Sequence, residues 1–508
     1  MTIAVLNSRA LSGLDAAAVR VEVHLACGLP CFTLVGLADV EVRESRERVR
    51  AAIINSGFEF PAGRITVSLS PADLRKESAR FDLPIAIGVL LASGQIAMPA
   101  LTFPAASSPL ADLIFAGELS LTGALVPVAA PLALAIGSVR GQSRATLILP
   151  ACSAAQAAHV AAMADLEVLA AGSLSEVAAH LAGSAALPRA MPCEWPSVAP
   201  PPCLADVKGQ AGARRALEVA AAGGHSLLMV GPPGTGKSML AQRLPGLLPP
   251  LTPTQALEAA AIAGLGHADA VFNGYPPFRA PHHSSSAAAL TGGGARSRPG
   301  EITLAHHGVL FLDELPEFGR RTLECLREPM ETGLVNIARA AKTVQYPARF
   351  QLVAAMNPCP CGWRGHPRRV CRCTPELVAR YQGRVSGPLL DRIDVRVMLP
   401  APEADWLAAP AAEASVRVRA RVLACRARQE ERQAKPNAWL AGDELQAYCK
   451  PAPAALALLG RTMEAAGGSA RAAHRALRVA RTVADLDAAL EIGAAHMAEA
   501  LHYRHETQ

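Results

Sequence analysis

Leu227-Leu228-Met229-Val230-Gly231-Pro232-Pro233-Gly234-Thr235-Gly236-Lys237-Ser238-Met239-Leu240-Ala241-Gln242-Arg243-Leu244 is the stretch that decides the fold. A short apolar run enters a glycine loop, and a helical stretch leaves it at once. That order converges backbone N–H groups and a helix N-terminus on one point, the arrangement that suits a polyphosphate. Within Gly231 to Ser238 the pattern predicts that Lys237 reaches the β- and γ-phosphates of ATP and that the Ser238 hydroxyl ligates Mg²⁺. The plain alternative is a chance glycine turn, against which the full match in its strand–loop–helix setting argues.

Further apolar runs follow at Val309-Leu310-Phe311-Leu312, Phe350 to Ala355 and Val395-Arg396-Val397-Met398, with helical stretches between them. Together they predict a buried parallel sheet in an α/β fold. The second run ends in Asp313-Glu314, and an acid at a strand's carboxyl end lies where such sheets bind ligands. Asp313 is expected to hold Mg²⁺ through water, and Glu314 to orient and deprotonate the attacking water. Phe350 to Met356 ends in Asn357, a polar side chain placed to position the same water.

On these residues the chain resembles AAA+ proteins, where the residue at Asn357 is called sensor 1. Leu389-Leu390-Asp391-Arg392-Ile393-Asp394 is similar to the motif that supplies an arginine finger in trans in ring ATPases of the MCM and magnesium-chelatase group. The resemblance gives Arg392 that role, stabilising charge on the transferred phosphoryl group. A lid salt bridge to the flanking aspartates is the alternative. Ser469-Ala470-Arg471 opens a helix expected from Ala472 to Leu490, with Arg471, Arg475 and Arg478 on one face. Arg471 resembles the sensor 2 arginine that reaches from the lid to the γ-phosphate; Arg475 is the second choice, and a solvated basic face the plain reading.

At 508 residues the chain is long enough for two to four domains of ~100–200 residues each. Apolar residues at 51% against 18% charged suit packed interiors and exclude wholesale disorder. No uninterrupted apolar run reaches the ~18 residues of a spanning helix. The nearest, Pro84 to Met98, is broken by Gly88, Ser93, Gly94 and Gln95. Met1 to Asn7 lacks a basic segment leading into an apolar stretch, so a cytoplasmic protein without a membrane partner is expected. Pro188, Pro192, Pro196, Pro200, Pro201 and Pro202 mark a linker over 184–206. It sets an N-terminal α+β domain (1–183) apart from an ATPase domain (207–402) and a helical region (403–508).

Longer strings sharpen the resemblance: Val42 to Arg50 (VRESRERVR), Phe278 to His283 (FRAPHH), and Ala305 to Pro316 (AHHGVLFLDELP). They resemble the YifB/ComM family of magnesium-chelatase-like ATPases, and the similarity runs from about residue 3 to 504. The resemblance implies a Lon-protease-like (S5 domain 2-like) α+β domain, an α/β P-loop AAA+ module and a C-terminal helical lid of the magnesium-chelatase type. It also implies a hexameric ring and ATP-driven helicase work on single-stranded or branched DNA, in branch migration during natural transformation. Working Lon proteases need a serine nucleophile and a lysine base. In Ser78 to Ala86, Asp82 stands in the serine's place, and Pro127 to Gly137 has no lysine. A scaffold without proteolysis is therefore expected, with Ser78 the residue to test.

Two insertions are expected in the ATPase domain, a helix-2 insert over 264–300 and a pre-sensor hairpin over 333–349. The family lines its pore with these, so Arg339, Lys342 and Arg349 become candidate DNA phosphate contacts; a solvated hairpin is the alternative. His282-His283 and His306-His307 are poor chelates as adjacent pairs, and nucleotide-pocket or hydrogen-bonding roles are preferred. Of twelve cysteines, eight are scattered and read as small buried hydrophobes. The other four, Cys359, Cys361, Cys371 and Cys373, form C-x-C-x₉-C-x-C over 359–373, among Arg364, Arg368, Arg369 and Arg372. They make a candidate Zn²⁺ knuckle, although structural sites more often use C-x₂₋₄-C; a reduced cysteine-rich loop is the alternative. Competing functions are a metal-insertion motor acting on a porphyrin, an ATP-dependent protease, and a regulatory chaperone.

Overall fold

Strands that read as continuous apolar runs belong in the middle of a parallel sheet, covered on both faces. The computed structural model describes residues 3–36, 39–74, 76, 78–97, 110–140, 145–195, 199–266, 274–294, 297–339, 342–401 and 410–504. The chain forms two units, residues 1–196 with 256–272, and residues 197–255 with 273–508.

The first unit is built on seven strands: β1 (Ile3–Ser12), β2 (Asp15–Ala26), β3 (Cys31–Val35), β4 (Arg64–Ser70), β5 (Leu113–Phe115), β6 (Ala145–Pro150) and β7 (Leu166–Ala171). They lie in the order β3-β4-β2-β1-β5-β6-β7. β2 alternates: Val19, Val21 and Val23 are buried, while Arg20 and His24 face outward. Helix α1 (Ser45–Asn55) and helix α2 (Asp82–Ala92) supply further core, and every residue of α2 is buried. The apolar run at Pro84 is therefore an interior helix, and its proline is tolerated because it lies in the first turn. Part of the expected linker is sheet. Ala170 N donates to the Pro188 carbonyl and Ala190 N to that of Val168, so the chain around Pro188 extends the sheet beside β7. An edge position needs no N–H from the proline. Cys27, Cys31 and Cys152, expected inside, are exposed; Cys27 and Cys31 flank the turn between β2 and β3.

In the second unit the strands that bear on the site are β8 (Leu227–Val230), β9 (Phe278–Arg279), β10 (Val309–Leu312), β11 (Leu334–Arg339), β12 (Lys342–Pro347), β13 (Gln351–Met356) and β14 (Val395–Met398). β9, β10, β13, β8 and β14 form one sheet in that order. Every pairing in it is parallel. The edge strand β9 lies inside the segment expected as an insert; at two residues it is too short to show a periodicity. Residues 267–273 and 295–296 of that segment lie outside the described residues, as do the expected domain boundary near 402 and residues 340–341 of the hairpin. β11 and β12 pair antiparallel to form that hairpin.

Helices α3 (Ala211–Gly223), α4 (Lys237–Arg243) and α5 (Pro375–Gln382) belong to the sheet region, and α6 (Ser415–Gln433), α7 (Pro453–Ala466), α8 (Ala470–Leu486) and α9 (Ala494–His502) to the helical region. Val422 and Cys425 of α6, Val479 and Val483 of α8, and Leu501 of α9 join Leu227, Val353 and Val395 of the sheet in one core. Each valine buried this way stabilises by roughly 1.5–3 kcal/mol relative to exposure. Ser469 caps α8 by accepting from Ala472 N. The helix stops at Leu486 rather than Leu490, because the buried Arg481 guanidinium takes the Ala489 and Leu490 carbonyls and Ala488 turns left-handed.

Candidate nucleotide site and an arginine face

Register places the chemistry. Val230 pairs with Met356, and Leu312 with Ala354, so Gly231, Asp313 and Asn357 leave their strands side by side at the carboxyl edge. The loop's glycines have separate reasons. A Cβ on Gly231 would lie 2.7 Å from the Leu399 carbonyl oxygen, so only glycine lets the loop pass β14. Gly234 and Gly236 sit at φ +78° and +88°, with open space where a Cβ would project. Thr235 Oγ1 donates to the Pro232 carbonyl at 2.9 Å and braces the turn.

Lys237 lies folded into this loop. Its Nζ donates to the carbonyls of Gly231 (2.6 Å) and Pro232 (2.9 Å) and to Asn357 Oδ1 (3.1 Å). Burial lowers its pKa, while Asp313 and Glu314 pull it back toward the charged form. Ser238 Oγ donates to Asp313 Oδ2 at 2.6 Å. A hydroxyl and a carboxylate brought together beside a phosphate loop are the hard oxygen donors Mg²⁺ takes, so the residues present fit that ion and a triphosphate. Glu314 adopts φ +52°, and its N–H donates to Asp313 Oδ1 at 2.9 Å. Its carboxylate lies 3.1 Å from His283 Nδ1. Sequence reasoning missed this pairing; its signal was a histidine just past an edge strand that neighbours β10. The other histidines also take hydrogen bonds: His282 Nδ1 lies 2.8 Å from Ser284 Oγ, and His306 Nδ1 accepts from Arg349 N at 2.9 Å.

Arg392 and Arg471 are placed elsewhere. Ser226 Oγ donates to the Arg392 carbonyl at 2.9 Å, and Ser226 precedes β8, so Arg392 lies at the amino edge of the sheet. The five steps from Ser226 to Gly231, at ~3.3 Å each, separate the two edges by roughly 16 Å. Arg392 and Arg471 line one cavity of about 620 Å³ with Arg349, Arg475 and Arg478. The structure thus groups these arginines with one another and not with Lys237.

The Arg392 side chain, 10% exposed, pairs with Glu331 rather than with its flanking aspartates, and its Nη1 donates to the Pro388 carbonyl at 2.7 Å. Asp394 turns inward instead and accepts from Ser226 N at 3.4 Å, with His225 Nδ1 at 3.4 Å and Arg475 at 3.7 Å. Burial acts to raise the Asp394 pKa, but His225 and the arginines 475 and 478 hold it below the usual value. Burial brings Arg475 down to about 10.

The three candidate DNA contacts are also divided. Arg339 pairs with Lys342 at the last register position of the hairpin, and their side chains lie outside the described residues. Arg349 is at the hairpin base, its guanidinium 5.3 Å from the Trp439 ring centroid.

Folding gathers all four clustered cysteines: ligand atoms of Cys359, Cys361, Cys371 and Cys373 lie within 4.8 Å of one another. Sulfur–sulfur distances are 3.4 Å for Cys359 to Cys361 and 3.6 Å from each of these to Cys371. A tetrahedral zinc with Zn–S of ~2.3 Å has edges of ~3.8 Å, so the donor set fits. The Trp363 backbone N–H is the largest influence on Cys361 and helps bring its thiol down to about 6. In the first unit, Asp82 is fully buried and bound by Ser45 Oγ, by Arg48 Nε at 2.7 Å and by Leu119 N at 3.3 Å. Burial raises its pKa against those partners.

Three family models match successive parts of the chain. Residues 203–407 match the family described as magnesium chelatase, subunit ChlI; residues 21–153 match subunit ChlI of Mg-chelatase, and residues 412–504 the ChlI C-terminal family. The chain is 46% identical over 509 residues to the uncharacterised protein YifB of Escherichia coli, covering 99% of this chain and 97% of the relative. It is 44% identical over 514 residues to competence protein ComM of Haemophilus influenzae, covering 99% and 98%. The magnesium-chelatase 67 kDa subunit of Heliobacterium mobile is 28% identical over 194 residues, 32% of this chain and 29% of that subunit. Among the described residues, no helix is long and apolar enough to cross a membrane.

Proposed function

The chain belongs to the YifB/ComM family of magnesium-chelatase-like AAA+ proteins, and from that membership we propose that it is an ATP-hydrolysing ring motor that acts on DNA and drives branch migration. One observation carries the motor reading. Lys237, Ser238, Asp313, Glu314 and Asn357 stand at the carboxyl edge of the sheet, while Arg392 and Arg471 stand together at the amino edge. A protomer so divided keeps its phosphate loop and its arginines on opposite edges of one sheet. Placing the amino edge of one copy against the carboxyl edge of the next brings the two together, and repeating that heterologous contact closes a ring, here a hexamer.

In this assembly Lys237 exchanges the Gly231 and Pro232 carbonyls for the β- and γ-phosphates of ATP. Ser238 and Asp313 hold Mg²⁺, which when bound neutralises charge on the phosphate oxygens. Glu314 orients the attacking water and accepts its proton, with His283 fixing the carboxylate. Asn357 positions the same water, and the neighbour's Arg392 and Arg471 stabilise the negative charge that develops. Zn²⁺ on the four thiols is a third cofactor of this reading.

The DNA assignment draws on the competence relative and on the hairpin register that pairs Arg339 with Lys342. Two basic residues paired across a hairpin suit phosphate binding that does not read sequence. For the N-terminal unit we propose a Lon-like scaffold without proteolysis, since the buried Asp82 that stands for a nucleophile is consumed by Ser45 and Arg48. The match to magnesium-chelatase subunits favours a second reading, a motor for metal insertion into a porphyrin. ATPase assays with four-way or forked DNA, porphyrin or casein, paired with a branch-migration assay, decide between them. Stimulation by branched DNA with movement of the junction is expected. Stimulation by porphyrin or casein alone, with no effect of any DNA, refutes the DNA motor.

A further inference from the structure

We propose that the four-cysteine knuckle, loaded with Zn²⁺, is a brace that holds Asn357 and the phosphate loop in register, so that nucleotide turnover depends on the metal. This rests on the reading of Lys237 and Asn357 as the nucleotide site. Cys359 is fully buried two residues beyond Asn357, and the Gly362 N–H closes a turn onto the Cys359 carbonyl at 2.9 Å. At φ +79°, Gly362 brings its backbone against the phosphate loop. A Cβ there would lie 2.6 Å from Pro233 Cδ and 3.8 Å from Asn357 Cγ. The knuckle therefore touches the loop that cradles phosphate and the side chain that holds Lys237.

The far end of the knuckle returns to the same place. After Cys373, Thr374 caps α5 by accepting from Leu377 N. The end of α5 then brings Gln382 Nε2 to the Pro358 carbonyl at 3.2 Å. Between Asn357 and Thr374 the chain has no regular secondary structure to fix it. Thiols are weak hydrogen-bond partners, whereas one zinc bonded to all four would lock both strands of the knuckle. Exposed basic residues between the cysteines, such as Arg368, suggest a phosphate contact instead, but the buried end of the knuckle faces the nucleotide loop.

The test uses the full-length protein, with metal content by mass spectrometry, ATPase turnover without DNA, and fluorescent-ATP affinity. One zinc per chain is expected. A zinc-selective chelator, with Mg²⁺ in excess, should lower turnover on the order of tenfold to a hundredfold by misplacing Asn357, and added zinc should restore it. Gly362→Ala should keep its zinc yet lose turnover, whereas Cys361→Ser/Cys371→Ser should lose both. Absence of zinc overturns the proposal, as does a zinc-free chain with unchanged turnover and affinity. If zinc-loaded protein and Lys237→Ala are equally inactive, the motor reading fails, and zinc content with ATP affinity still decides the brace.

Discussion

Consider Arg392→Ala mixed with Lys237→Ala. Arg392 is tethered through its carbonyl to Ser226, across the sheet from Gly231 by the length of β8, roughly 16 Å at ~3.3 Å per residue. No arginine spans that gap, so in the proposed ring each chain's Arg392 would serve a neighbour's nucleotide. Each variant alone should lose hydrolysis, the finger variant by on the order of 10³-fold or more. In an equal mixture, half the chains keep an intact phosphate loop, and in a randomly assembled ring half of those face an intact finger. Turnover should therefore recover to about one quarter of wild type. The assay is steady-state phosphate release at fixed total protein, with ring mixing verified by native mass spectrometry. Full activity in Arg392→Ala, or mixed rings that stay inactive, would refute a shared site.

Other consequences are open to measurement. Asp313→Ala should leave metal-free nucleotide binding intact but abolish Mg²⁺-dependent hydrolysis, because Ser238 loses the carboxylate it meets at 2.6 Å. Asp394→Ala leaves His225 and Arg475 without their buried acceptor and should cost about 3–5 kcal/mol in chemical denaturation. Since the folded pKa of Asp394 is lowered, its stabilisation is complete above the unfolded value near 4 and is lost as pH falls through the folded one. Wild type should therefore lose stability in strong acid more steeply than the variant. Arg339→Ala and Lys342→Ala should each weaken DNA binding about equally across sequences and flatten the log–log salt dependence by roughly one.

How much of this was legible depended on how local the cause was. β8, its glycine loop and α4 are contiguous, and their physics is complete within one stretch, so they read directly from the sequence. The acidic pair after β10 read nearly as well, because a strand's end fixes where its next residue points. The placement of Arg471 did not. Spacing along α8 shows which arginines share a face, but only packing against Val353 and Val395 decides which edge of the sheet that face meets. The end of α8 was hidden for a similar reason, since Arg481 captures carbonyls eight and nine residues onward. Pro188 read as linker because prolines do not join ladders through their N–H, whereas here the carbonyl does the pairing. The two C-x-C pairs were legible as one candidate knuckle, and folding does bring their four sulfurs together, but the spacing does not show that Gly362 packs against the phosphate loop.

The ion pair of Arg392 with Glu331 has a consequence for how the proposed ring would keep time. The chain itself offers Arg392 an anion, so in the proposed ring a neighbour's site has to compete with Glu331 for it. Only a competing negative charge across the interface, the phosphates of a filled site, can outbid that carboxylate. In the proposed ring each subunit would thereby sense whether the next one is loaded before committing Arg392. Turnover should then rise with ATP more steeply than independent sites allow, and Glu331→Gln should flatten that rise.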